Sequence, residues 1–300
     1  MSDPVTDVWY WAPFTDEDHS GEGWIFGITA LIVVCIVTSL RLFLRRGVYG
    51  LDDAFIGSSL IAYLAQHALL FFALRLGLGK DNALIRTERQ HTVAKAFLTA
   101  DVLAVCAHYL AKMSIAWFIR RLFFNHALIN SLSCNSLTGS VVVCGVISII
   151  IAAVGRFPLG VLEGYSSPSS IVHKWAAITA LDVINEIALA AIPTYMVLKI
   201  MKKGSQKTLV SIVFLSRLPL CVFTLLHFFR IQWAVSDEKD LILRLLACSG
   251  SFEVLLVWSL ITASIPALKS LMQPFNEIKE VVDEKDASPR RQQGAFFYRG

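Results

Sequence analysis

Charged side chains are scarce in this sequence. Asp, Glu, Lys and Arg make up 17% of its 300 residues, whereas a soluble domain carries about 25%. A chain with so little charge must keep much of its surface away from water, and its mean hydropathy of +0.60 agrees. Lys and Arg are missing altogether from residues 1–23, which instead hold Asp3, Asp7, Asp16, Glu17, Asp18 and Glu22. Without a basic start and an apolar centre this stretch is not read as a cleavable signal, so the first apolar run is expected to act as the insertion signal.

Other absences remove whole chemistries. His-Glu-x-x-His, a phosphate-binding Gly-rich loop and a Gly-x-Ser-x-Gly elbow do not occur, which argues against zinc proteases, P-loop enzymes and elbow-type serine hydrolases. Residues 245–267 contain no Lys, so a retinal Schiff base in the last helix is excluded. Cys35, Cys106, Cys134, Cys144, Cys221 and Cys248 sit mostly inside apolar runs and read as small packing residues rather than disulfides. No Asn-x-Ser/Thr sequon occurs either. His67 and His108 have no close Cys or His partner in sequence, so they read as hydrogen-bonded core histidines, not metal ligands. No cofactor and no nucleic-acid partner is expected.

What the chain does have is seven apolar runs, at about residues 24–44, 54–76, 93–118, 137–154, 175–200, 209–229 and 245–268. About 20 apolar residues span the hydrocarbon as a helix, and the runs lack the two-residue alternation of barrel strands. The expected fold is all-α: a seven-transmembrane helix bundle in a lipid bilayer. Placing the N-terminus outside puts fifteen of the 27 Lys and Arg residues in cytoplasmic segments and nine in outer ones. Lys95, Lys112 and Arg217 remain inside helices. This bias predicts a cytoplasmic C-terminus.

The organisation expected is an extracytoplasmic segment 1–23, a seven-helix domain 24–268 and a cytoplasmic tail 269–300. In the tail, Leu268, Leu271, Met272, Phe275, Ile278, Val281 and Val282 repeat at helical spacing, around Pro274, which suggests a short surface helix. Residues 286–300 read as disordered. The loop 155–174, rich in Gly, Pro and Ser, is expected to fold over the bundle mouth.

Charges inside a membrane are expensive and mark function more often than elsewhere. Asp101, His108 and Lys112 are seven and four residues apart, which places them in one stripe of the third helix. Asp182, Asn185 and Glu186 form a similar group on the fifth, two turns before a kink expected at Pro193, and Glu253 lies on the seventh. Counting down from the outer ends at 1.5 Å per residue puts Asp101, Asp182, Glu186 and Glu253 about 10 to 16 Å deep. These carboxylates, with His108 and Asn185, are read as an outward-facing acidic cavity suited to a small lipophilic or cationic molecule. Asp52, Asp53, Lys112 and Arg217 are read as a cytoplasmic ionic cluster. Internal salt bridges that only fix helix packing would use the same residues.

Several motifs together are similar to the fungal rhodopsin-like domain family. They are Arg41, Gly50-Leu51-Asp52-Asp53, Gly77-Leu78-Gly79, Lys95, the run Tyr109-Leu110-Ala111-Lys112-Met113-Ser114-Ile115, Asp182 with Pro193, Lys207, Arg217-Leu218-Pro219, and Thr262 through Lys269. The resemblance covers about residues 24–275 and implies a seven-helix integral membrane protein of receptor-like or secondary-metabolite-cluster type. Two departures lie on the outer side. Residues 155–174 lack the cysteines of many relatives, and Lys80-Asp81 stands where a His is common after the Gly-x-Gly.

Two functions are open at this stage. The first is a receptor-like sensor: a ligand in the acidic cavity shifts the helices, and the Asp52, Asp53, Lys112, Arg217 cluster acts as a latch read by a cytoplasmic signalling protein. Arg120-Arg121 is unlike the acidic-Arg-aromatic motif of typical G-protein-coupled receptors, however, and no Asn-Pro-x-x-Tyr occurs. The second is a membrane-embedded biosynthetic enzyme, an isomerase or cyclase, with Asp101, Asp182, Glu186 or Glu253 as a buried acid. A transporter is disfavoured because the halves do not repeat.

Overall fold

The computed structural model describes residues 18–46, 49–123, 128–200, 204–236 and 240–265. The tail helix expected around Pro274 and the 286–300 segment lie outside the described residues, as does most of the acidic N-terminal stretch. The helices are α1 (Ser20–Leu44), α2 (Leu51–Leu76), α3 (Thr87–Phe123), α4 (Leu128–Gly155), α5 (Leu159–Leu162), α6 (Pro168–Ile200), α7 (Gly204–Leu215) and α8 (Pro219–Val235), followed by α9 (Leu241–Ile265). Seven spans are long and apolar enough to cross a membrane, the sixth running Ser211–Val235 across the junction of α7 and α8. No β-strand occurs among the described residues; a single isolated bridge joins Asp18 to Lys80.

α3 is the axis of the bundle. Of its most apolar window 61% is buried, the largest share among the seven spans. Lipid tails are as apolar as Leu, so helices in a membrane associate through close packing and polar contacts rather than the hydrophobic effect. α3 supplies both. Ala96, Ala100 and Ala104 repeat every four residues, Ala107 and Ala111 repeat likewise, and all five are buried. That small-residue stripe lets α2 and α4 come close, and Gly145 of α4 lies directly against the Tyr109 ring.

Two helix boundaries differ from those read in the sequence. α6 begins at Pro168, seven residues before the expected start, and ends at Ile200 as expected. The sixth span, expected as one helix, breaks at residues 216–218 instead. Pro219 opens α8 and has no N–H to continue the ladder. The turn is closed by Arg217 N–H to Phe214 O (3.3 Å) and Leu218 N–H to Leu215 O (3.0 Å). The freed Ser216 carbonyl accepts from Trp258 Nε1 of α9 at 3.1 Å.

One end of the bundle is clasped. After α2 the chain turns through Gly77 and Gly79 at φ +120° and +87°, values that favour glycine. His19 N–H donates to Gly79 O (2.9 Å) and Gly79 N–H to Ile242 O (3.3 Å). The Lys80 ammonium lies 2.9 Å from Asp18. The 155–167 loop packs at α3, with Leu159 and Val161 buried and Phe157 edge-on to Phe97.

The clasp is pH-sensitive in one direction. Burial acts to raise the Asp18 carboxyl, but the Ser20 hydroxyl and backbone N–H and the Lys80 ammonium outweigh it and hold the group below its ordinary 3.8. A carboxyl lowered by folding contributes stability above its unfolded value and loses it as pH falls through the folded one. The clasp is therefore expected to hold at neutral pH and to open below about pH 4. Lower amide protection factors at Ser20 and Lys80 in acid, with the pH effect abolished by Asp18→Asn, are the check. Lys80 is 39% exposed, so the contribution is under about 1 kcal/mol.

Candidate functional site

The interior holds three separate polar groups. At one end, which we call the Arg41 end, α1 closes with Arg41 and Arg45 one turn apart and α2 opens with Asp52 and Asp53. Arg41 donates to Asp53 Oδ1 (3.2 Å), Asp52 Oδ2 (3.3 Å), Ser114 Oγ (3.1 Å) and the Ala263 carbonyl (2.6 Å). Arg45 bonds both Asp52 and Asp53. The Ser114 hydroxyl donates back to Asp52 O at 2.7 Å. Asp53 Oδ2 also accepts the Gly50 N–H at 3.1 Å, so the carboxylate that caps α2 also ties it to α1.

The second group lies in the middle of the bundle on α3, α6, the α7–α8 junction and α9. Asp182 and Glu186 are one turn apart on α6. Asp182 Oδ1 accepts from Lys112 Nζ (2.7 Å) and His108 Nε2 (2.9 Å), and its Oδ2 accepts from the Thr224 hydroxyl (2.8 Å). Glu186 receives a two-pronged bond from Arg217, Nε at 2.9 Å and Nη2 at 2.8 Å, and lies 3.2 Å from Lys112 Nζ. Arg217 Nη1 also donates to Thr262 Oγ1 (3.2 Å), and Lys112 sits over the Tyr109 ring at 5.1 Å. Lys112 and Glu186 are wholly buried. The break before Pro219 is what lets the guanidinium leave the helix surface and meet a carboxylate two-pronged, the geometry Arg favours.

Two carboxylates face two cations, so this network is neutral. His108, Asp182 and Glu186 have potential ligand atoms within 4.8 Å of one another. Lys112 and Arg217 already occupy the carboxylates there, so the trio does not fit a metal ion as it stands.

The third group surrounds Glu253 of α9. Its oxygens accept from Gln66 Nε2 (2.7 Å) and the Tyr63 hydroxyl (3.1 Å), and His67 Nε2 lies 3.6 Å away.

A small cavity of about 20 Å3 opens beside the central network. Its walls are Val105, His108, Tyr109, Trp175, Ile178, Thr179, Asp182, Thr224, His227, Phe252 and Leu255. His227 stacks on Phe252 with ring centres 4.6 Å apart and meets Trp175 edge-on.

The residues singled out in the sequence are thus distributed differently from the expectation. Asp182 and His108 line the pocket, and Glu186 stands behind them. Asn185 turns toward α4, where Ser140 donates to it at 3.2 Å. Glu253 bonds to α2, and Asp101, although buried, has no hydrogen-bond or ion-pair partner among the described residues. Lys112 and Arg217 do not join Asp52 and Asp53; they neutralise Asp182 and Glu186. The expected cytoplasmic cluster is therefore two networks, and the expected acidic cavity is balanced by its own cations. Arg41 and Arg45, counted as loop charges in the sequence, complete the Asp52–Asp53 network. Their i, i+4 spacing at a helix end, a short loop before paired Asp residues, was the available signal.

A bundle of seven membrane-length apolar helices with charges paired along its axis defines a multi-pass integral membrane protein. The fungal rhodopsin domain family matches residues 37–274, and the chain belongs to that family. No curated protein and no solved structure matches it.

Proposed function

We propose that the protein is a receptor-like sensor in which a small lipophilic molecule enters the pocket and acts on the central charge network. One observation carries this reading: Asp182 is both a wall of the pocket and the joint that ties α3, α6 and α8 through Lys112, His108 and Thr224. An occupant that disturbs Asp182 changes contacts on three helices at once, which is the differential contact a two-state shift requires. The neutrality of the network disfavours the cationic ligand that an uncompensated acidic cavity would attract. Lys and Arg bias supports an outside N-terminus and a cytoplasmic Arg41 end, with Arg46, Arg120 and Arg121 there as the face offered to a cytoplasmic signalling protein. The bundle 24–268 serves as the single functional domain, flanked by the segments 1–23 and 269–300.

If the network is a latch, weakening it populates a second helix arrangement. Lys112→Gln with spin labels at positions 121 and 208 is expected to give a second distance population between α3 and α7. A distribution identical to wild type would mean the network is only structural.

The enzyme reading keeps one supporting observation, the buried Asp101 without a hydrogen-bond or ion-pair partner among the described residues, one turn from the pocket-lining Val105. Asp182 and Glu186 are committed to cations, so Asp101 or Glu253 would be the acid. Asp101→Asn would then abolish product formation in microsomes at normal protein abundance, while Lys112→Gln would not do so selectively.

A further inference from the structure

The three interior groups differ in their charge balance. Arg41 and Arg45 balance Asp52 and Asp53, and Lys112 and Arg217 balance Asp182 and Glu186. Glu253 has no Lys or Arg acting on it among the described residues. Tyr63, Gln66 and His67 are buried with it. An ionised Glu253 beside a neutral imidazole would therefore be a buried charge with nothing to balance it, which is costly.

The placement of hydrogens leads to the same conclusion. His67 Nδ1 lies 3.3 Å from the Tyr63 carbonyl, and its Nε2 lies 3.6 Å from Glu253 Oε2. Carbonyl and carboxylate oxygens only accept, and a neutral imidazole has one N–H. With that hydrogen on Nδ1, the Nε2 lone pair faces the carboxylate. With it on Nε2, the Nδ1 lone pair faces the carbonyl. Either tautomer sets two acceptors against each other, and Nε2 has no hydrogen-bond partner among the described residues. One added proton removes the conflict. It sits on Nε2, as an imidazolium beside a carboxylate, or on Glu253 Oε2, as an acid that donates to Nε2.

A metal ion suits the group less well. Tyr63 and Gln66 aim their hydrogens at the carboxylate, at 3.1 and 2.7 Å, and that polarity opposes a cation in the same place. A hard cation takes oxygen ligands, whereas the lone pair on offer belongs to a nitrogen. A divalent ion would also leave the group positive. The other groups around the pair lie on α1, the Gly27 carbonyl beside His67 and the Cys35 thiol beside Tyr63, and neither is a cation.

We infer that His67 and Glu253 form a proton-binding site, which holds one hydrogen ion between α2 and α9. With the proton bound the third group is neutral, like the second. Without it, the two helices meet across an unbalanced charge. The site is separate from the pocket, and the inference goes beyond the sensor reading without resting on it.

The test counts the proton directly, on the full chain in lipid nanodiscs near neutral pH. An infrared difference spectrum between wild type and Glu253→Gln shows whether Glu253 is a carboxylic acid. Nitrogen NMR of 15N-histidine protein, with the His67 signals assigned by their loss in His67→Phe, shows whether both ring nitrogens carry hydrogen. The two readouts are expected to sum to one proton per chain: an acid band with a neutral ring, an imidazolium with no acid band, or complementary fractions of each. A neutral ring beside an ionised carboxylate would overturn the inference, and so would an acid band together with a full imidazolium. Glu253→Gln keeps an acceptor for Tyr63 and supplies an N–H for His67 Nε2, so its ring is expected to be neutral. An imidazolium that persists in this variant would show that the proton does not depend on Glu253. Replacing sodium by choline and adding a chelator should leave the wild-type signals unchanged; a shift in either would make the site a metal site and overturn the proposal. The wild-type spectra decide the matter even where a variant does not fold, because the acid band and the doubly protonated ring are each read in the unaltered chain.

Discussion

Arg217→Met is expected to destabilise the bundle by about 3–5 kcal/mol, because it leaves Glu186 as a buried carboxylate without its principal cation. Glu186 is wholly buried, and Arg217 is the partner that meets both of its oxygens. Lys112 lies within reach but is already held by Asp182 at 2.7 Å. The cost comes from the stranded charge rather than from the lost bond itself, and this has a consequence. Glu186→Gln combined with Arg217→Met removes both charges and should recover much of the loss, since a buried pair replaced by uncharged groups is often close to neutral in stability. Reversible unfolding in mixed micelles measures the unaltered protein and both variants. A double variant no more stable than Arg217→Met would rule out this account of the network.

Arg41→Gln is expected to cost about 3 kcal/mol by the same measurement. The guanidinium is 1% exposed and holds four acceptors on three other helices: Asp52 and Asp53 on α2, Ser114 on α3 and the Ala263 carbonyl on α9. Gln can reach at most two of them. Arg41→Lys should recover less than half of the loss, because an ammonium lacks the planar fork that reaches divergent acceptors. Arg46→Gln serves as the control. That residue lies beside an exposed Phe43 ring, and its loss should change stability by under about 0.5 kcal/mol. A similar cost at both positions would show that Arg41 acts through general charge and not through its four bonds.

The seven spans were legible in the sequence because crossing a bilayer sets a length and a composition that few other structures need. The stripe Asp101, His108, Lys112 was legible for a comparable reason, as helical spacing alone places those residues on one face. Pairing was not. Depth was counted from the start of each apolar run, and for the fifth span that start was Trp175. α6 in fact begins at Pro168, so Asp182 lies fourteen residues into the helix rather than seven, near its middle and level with Lys112. The break at residues 216–218 was marked by Pro219, yet nothing in the local sequence said that the break would aim Arg217 at Glu186. Glu253 was grouped with the other carboxylates because it shares their depth, whereas its partners Tyr63 and Gln66 come from a different helix.

The sequence by itself therefore determined that the chain is an integral membrane protein, the number of its spans, the family and the identity of the interior charges, all of which follow from local composition and from periodicity along one chain. Which cation meets which carboxylate, and so whether the cavity is acidic or neutral, was decided only by the tertiary structure. In the central network those contacts join residues 31 and 70 positions apart, and the rotation of each helix about its own axis is fixed by packing against its neighbours. The same holds for His108: a sequence shows a histidine, but only its surroundings among the described residues show that Nε2 meets Asp182 while Nδ1 has no hydrogen-bond partner.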